Sequence, residues 1–126
     1  GAVAVRACAG FDELCFGELE GKCIVEEPYK SQLADLKASW EAGNVHDCAR
    51  GPGAESPLAV RARATDAVRA LAALGHRHTL VVGHWGCLRI TIEALTGLKA
   101  ETMPNAGVYV LEYNKKMDSF KAASEK

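Results

Sequence analysis

Two places in the chain could carry chemistry: His84, and the acidic stretch that holds Asp12, Glu13, Glu18 and Glu20. His84 follows Thr79-Leu80-Val81-Val82-Gly83, a short β-prone run, and precedes a stretch with helical spacing. An unbroken apolar run of this length fits a strand covered on both faces, as in a parallel sheet. In open α/β sheets ligands bind beyond the carboxyl ends of the strands. The helix that follows offers free N–H groups and the positive end of its dipole at the same place. Gly83 and Gly86 leave room for close approach, so the position suits an anion such as a phosphoryl group, with Trp85 and Gly86 beside it. Position alone fits a turn histidine without a ligand equally well. Glu13 lies in Phe11-Asp12-Glu13-Leu14-Cys15-Phe16-Gly17-Glu18-Leu19-Glu20-Gly21-Lys22, where acidic and apolar residues interleave. A carboxyl held beside apolar side chains has its neutral form favoured, which suits a general acid. The same composition also fits a solvated acidic loop. His76 and His78 precede the β-prone run, at its opposite end, and read as surface groups. His46-Asp47-Cys48 is the nearest thing to a metal cluster and reads as ordinary loop polars.

These residues need elements to position them. Val3 and Val5 alternate with alanines between Ala2 and Cys8, a weak strand signal. The acidic stretch, broken by Gly10, Gly17 and Gly21, reads as a loop. Tyr29, Leu33, Leu36 and Trp40 recur at a helical period, with Pro28 at the start and Gly43 placed to end the helix. The segment from Gly43 to Glu55 is an irregular loop. Ser56 and Pro57 then open the clearest helix, as N-cap and first helical residue. Its apolar face is Val60, Ala64, Val68 (or Ala67), Leu71 and Leu74, and Gly75 closes it. After the strand, His84-Trp85-Gly86 reads as a turn and Cys87 to Thr96 as a helix with Leu88, Ile92 and Leu95 on one face. Val108 to Leu111 reads as a last strand, and the polar stretch 114–126 as a frayed or loosely helical tail. Helix, strand, helix, strand in this order predicts an α/β layered domain.

Composition narrows the field. The chain has 126 residues, enough for one domain. Its net charge of -1 gives no electrostatic case for nucleic acid, and no apolar run approaches the about 18 residues of a membrane span. Five cysteines without a C-x-x-C pair read as free thiols, buried or half-buried, in a reducing, cytoplasmic setting.

Three stretches in order resemble the histidine phosphatase superfamily, the phosphoglycerate mutase-like proteins. Glu13-Leu14-Cys15-Phe16-Gly17-Glu18-Leu19-Glu20-Gly21 is similar to the family's acidic loop. Gly53-Ala54-Glu55-Ser56, with Arg63 eight residues after Glu55, is similar to its G-E-S…R segment, with Ala54 in place of a glycine. Leu80-Val81-Val82-Gly83-His84-Trp85-Gly86-Cys87-Leu88-Arg89 is similar to the motif that carries the family's second histidine, and Met103-Pro104-Asn105 also fits. The resemblance implies a three-layer α/β/α sandwich with a mostly parallel sheet. It implies that Glu13 donates a proton to the leaving group and that His84 lines the phosphate pocket. Ser56 and Arg63 match positions read as structural, Arg63 as a tether of the acidic loop, with Glu20 and Glu55 as candidates for the pocket rim. A small phosphorylated substrate is implied, and neither metal nor cofactor.

One feature of the family is missing. Its reaction depends on a nucleophilic histidine in an Arg-His-Gly motif, and the chain has no such motif; Arg77-His78-Thr79 begins a strand instead of ending one. The expectation is therefore that residues 1–113 are the later portion of an N-terminally truncated domain, with a polar tail at 114–126, and that the chain alone is inactive. The acidic loop, with Leu14 and Cys15 where mutase-type loops are basic, leans toward phosphatase over mutase. The competing readings are a non-catalytic phosphate-binding relative and an unrelated flavodoxin-like module.

Overall fold

A computed structural model describes residues 3–123. Ala2, at the start of the expected first strand, and 124–126, at the end of the tail, lie outside the described residues. The elements are α1 (Tyr29–Glu41), α2 (Pro57–Ala73), α3 (Trp85–Thr96), β1 (Leu111–Asn114) and β2 (Ser119–Ala122), preceded by two single 3-10 turns at Ala9–Phe11 and Gly17–Leu19.

The helices start and stop where local chemistry directs. Ser56 takes an extended backbone and its Oγ accepts the Ala59 N–H at 3.1 Å, which satisfies one of the orphan donors of α2. Pro57 sits at the first helical position, where its missing N–H costs nothing. In α1 the expected face (Tyr29, Leu33, Leu36 and Trp40) is half-buried and the opposite face is exposed. α3 begins earlier than its sequence suggests. Trp85 and Gly86 form its first turn and His84 is the N-cap, so the expected turn is already helix. Gly97 ends it in the left-handed region at φ 71°.

Packing centres on α2 against α3, with the Ala9–Phe11 turn on α2 and β2 on α3. Leu14, Val60, Ala64 and Cys87 form the central cluster, with Phe16, Trp40 and Ile90 against it. Val60 and Ala64 are buried as their helical spacing predicts, whereas Leu74 at the end of α2 is exposed. In α3 the buried residues are Cys87, Thr91 and Ile92, and Leu88 and Leu95 are half-buried, so the face is rotated from the apolar count. The polar Thr91 is tolerated because its hydroxyl donates to the Cys87 carbonyl at 2.7 Å. Of the five free thiols only Cys87 is buried; Cys15 is half-buried and Cys8, Cys23 and Cys48 are exposed.

The fold is α/β, and its sheet differs from the expectation. Among the described residues it has two strands, β1 and β2, antiparallel, with Leu111 opposite Ala122 and Asn114 opposite Ser119. The stretch expected to fray or coil thus pairs as a strand, with Tyr113 stacked at 4.8 Å on Phe120. The last strand starts at Leu111 and not at Val108. Thr79–Gly83 and 3–8 form no hydrogen-bonded strand. A strand is defined by its partners, and among the described residues no neighbouring segment pairs with these. Leu80 and Val82 stand 81% and 82% exposed as a result.

Candidate active site at the N-terminus of α3

The acidic loop has almost no backbone pairing of its own between Glu13 and Phe16. Three successive N–H groups are taken by glutamate side chains instead. Leu14 donates to the Oε1 of Glu13 at 2.8 Å, Cys15 to the Oε1 of Glu55 at 3.1 Å, and Phe16 to the Oε1 of Glu20 at 2.8 Å. Loop carbonyls are taken by Arg63 of α2. Its Nη1 donates to Gly10 O at 2.8 Å, and its Nη2 to Asp12 O at 2.8 Å and Glu13 O at 3.3 Å. The same guanidinium holds the Glu55 carboxylate, Nε to Oε2 at 2.8 Å and Nη2 to Oε1 at 3.0 Å. This fork-to-fork geometry is the strong form of an ion pair. The hydrogen bond from Arg63, against the opposing effect of burial, holds the Glu55 carboxyl below its ordinary value. The tether expected of Arg63 is present. Glu55 is a correction: its carboxylate is half-buried and spent on Arg63 and Cys15, so it is not on the pocket rim. Glu20 likewise turns back onto its own loop.

Phe11, Leu14 and Leu19 of the loop are buried, and Leu14 packs with Val60 and Ala64 of α2 and Cys87 of α3. Gly17, at φ 57°, lies so close to the carbonyl of Arg50 that no side chain fits there, and Glu18 N–H donates to that carbonyl at 2.7 Å. The glycine-rich segment at 50–53 is thereby locked against the acidic loop.

Glu13 then reaches α3. Its Oε2 accepts the Gly86 N–H at 3.2 Å and its Oε1 the Cys87 N–H at 2.8 Å. His84, the N-cap residue, makes no side-chain cap bond. Glu13, from a loop more than seventy residues away, does the capping in its place. The positive end of the helix dipole favours the carboxylate there. A Cβ on Gly86 would sit 2.7 Å from Oε1 and 2.9 Å from Oε2, so a side chain there would push the carboxylate off this seat. Beneath this contact lies the Cys87 thiol, fully buried and pushed up by that burial against the pull of the Arg63 guanidinium.

Glu13, Trp85 and Gly86 line one broad cleft of about 1190 Å³, whose wall also carries Trp40, Arg61 and Arg89. The structure therefore brings three of the four candidate residues to one place, with His84 exposed immediately before Trp85. His76 and His78 are exposed in the connection before 79–83. At His46-Asp47-Cys48 the polar groups bind α1: Ser39 Oγ donates to Asp47 Oδ2, and Trp40 Nε1 to the Asp47 carbonyl at 2.8 Å. The sequence points to free N–H groups at this helix start but not to Glu13 as the group that takes those of Gly86 and Cys87.

The fold and the site define an α/β protein in which an acidic loop, clamped by an arginine, delivers a carboxylate to a helix N-terminus beside a histidine. The family model for the histidine phosphatase superfamily, branch 1, matches residues 1–125, and the chain belongs to that superfamily. Comparison with curated proteins and with solved structures found no match. No helix among the described residues is long and apolar enough to cross a membrane.

Proposed function

We propose that the protein acts in phosphomonoester hydrolysis on small phosphorylated metabolites, through a phosphohistidine whose nucleophile lies outside this chain. In this reading Glu13 is the general acid. His84, Trp85 and Gly86 line the phosphate pocket. Attack of the absent histidine on phosphorus breaks the ester P–O bond, and Glu13 gives its proton to the departing oxygen. His84 and the N–H groups at the start of α3 offset the charge on the transferring group. Water then releases phosphate from the histidine. In this reading the transferring phosphoryl and Glu13 share the same helix end, since Glu13 already sits on the Gly86 and Cys87 N–H groups.

The observation that supports the reading most is the seat of the Glu13 carboxylate on the Gly86 and Cys87 N–H groups, within three residues of His84. Part of the proposal is the larger sheet. The segments 79–83 and 108–110, which lie outside the two strands of the hairpin, would join a mostly parallel sheet in a three-layer sandwich, and the protein would work in the cytoplasm. Leu14 and Cys15, in place of the basic pair of mutase-type loops, favour hydrolysis over phosphoryl transfer between hydroxyls.

The test has two arms. In a protein that joins this chain to an Arg-His-Gly segment, His84→Ala should lower phosphate-ester turnover by roughly 10²–10³-fold with the fold retained. Unchanged turnover removes His84 from the mechanism. Incubated with a phosphate ester, the 126-residue chain alone should form no phosphohistidine. Detection of one by mass spectrometry contradicts the proposed place of the nucleophile. Binding of phosphate esters without turnover in the joined protein would select the non-catalytic alternative.

A further inference from the structure

Glu13 approaches α3 from a loop with no helix or strand ladder to hold it. What fixes the backbone at Glu13 is a pair of side chains from elsewhere. Arg63 gathers the carbonyls of Gly10, Asp12 and Glu13, which brackets the residue on its N-terminal side. Glu55 takes the N–H of Cys15, and its own N–H donates to the Cys15 carbonyl at 2.9 Å, which brackets it on the other. The two brackets are tied by the Glu55–Arg63 ion pair, both members only 24% exposed. Neither side chain hydrogen-bonds to Gly86. We infer that Glu55 and Arg63 are a positioning pair that sets the Glu13 carboxylate on the N-terminus of α3.

The alternative is that Glu13 is held by its own bonds to α3, and that the pair only stabilises the fold. The two ideas differ in what happens to Glu13 when the pair is weakened in a folded protein. A planar fork that serves three carbonyls and a carboxylate at once leaves the loop one position. Weakening it frees the Cα of Glu13 to drift, and a carboxylate at 2.8–3.2 Å from its donors tolerates little drift. The inference rests on the assignment of Glu13 as the acid only for its consequence in catalysis; the positioning itself is a property of this chain.

The experiment is amide NMR on the ¹⁵N-labelled chain. A bond to a carboxylate moves the Gly86 amide proton downfield, and Glu13→Gln marks the position it takes when that charge is lost. Glu55→Gln keeps size and shape but lacks the charge. Arg63→Lys keeps the charge but lacks the fork. In both variants the Gly86 amide should move more than half of the way to its Glu13→Gln position, while the Val60, Ala64 and Ile92 amides stay in place. If Gly86 stays put in a folded Glu55→Gln protein, the inference is overturned. If Arg63→Lys fails to fold, the near-isosteric Glu55→Gln decides alone. Should Glu13→Gln leave turnover intact in the joined protein, the proposed acid role fails, and the Gly86 result still stands on its own.

Discussion

At the scale of the residue, Glu55 shows how a single ionisation is built into the fold. Its carboxyl is held below the ordinary 4.5, chiefly by the hydrogen bond from Arg63, while burial pulls the other way. A carboxyl with a depressed folded-state value stabilises the protein fully above the unfolded value, and that stability is lost as pH falls through the folded one. Thermal unfolding should therefore show a Tm that declines below pH 4.5, and Glu55→Gln should flatten that decline while lowering Tm at neutral pH. An equally steep acid decline in Glu55→Gln would place the titrating group elsewhere. At the same scale the signals in the sequence are uneven. Glu13, Glu55 and Arg63 are marked by resemblance to the family's motifs, and the Arg63 tether is there. That Glu55 is the partner of Arg63 and not a pocket residue depends on where α2 carries Arg63, which spacing alone does not say. That Gly86 and Cys87 serve as donors to Glu13 depends on a contact across most of the chain.

At the scale of the element, the helices were legible because their signals are local. The Ser56-Pro57 start of α2 is written in adjacent residues, and the structure uses both. Ser56→Ala removes the acceptor for the Ala59 N–H and should cost about 1 kcal/mol, read as a lower urea midpoint with an unchanged m-value. A midpoint within error of the wild type would mean that water caps the helix as well as serine does. Strands gave the opposite outcome. Thr79–Gly83 has the composition of a covered strand and no partner among the described residues, whereas 119–122, Ser-Phe-Lys-Ala with no β-branched residue, pairs with β1. Composition reports what a segment can bury, and pairing depends on which other segment lies alongside. The rotated face of α3 has a similar cause. Counting apolar residues gives Leu88, Ile92 and Leu95, but Thr91 lies inward because its hydroxyl is satisfied by the turn before it.

At the scale of the whole molecule, the apolar surface is unbalanced. Val3, Val5, Leu80, Val82, Val108 and Val110 are all exposed, and they fall in three segments that belong to no strand among the described residues, although the Val110 carbonyl accepts the Ala123 N–H at 2.9 Å. The central cluster, by contrast, is small. Unpaired β-prone segments with apolar side chains are templates for association. The chain should self-associate as its concentration rises, seen as a growing mass in light scattering, and Val82→Lys with Val108→Lys should suppress this. A monomer across the whole concentration range would show that these segments find cover within the chain.

The span of the Glu13 contact has a kinetic meaning. The carboxylate and its donors are 73 and 74 positions apart, and the two carbonyls that Arg63 gathers from beside Glu13 are 50 or more positions from it. Closing so wide a loop carries an entropy that only the finished packing of α2 on α3 can offset. Local pieces, such as the turns of α2 and the β1–β2 hairpin, form early and cheaply, and contacts of wide span form last. The site is then the final part of the molecule to exist during folding and among the first to come apart. A ligand that bridged the acidic loop and the start of α3 would act as a latch on the whole chain, by joining its two most distant halves.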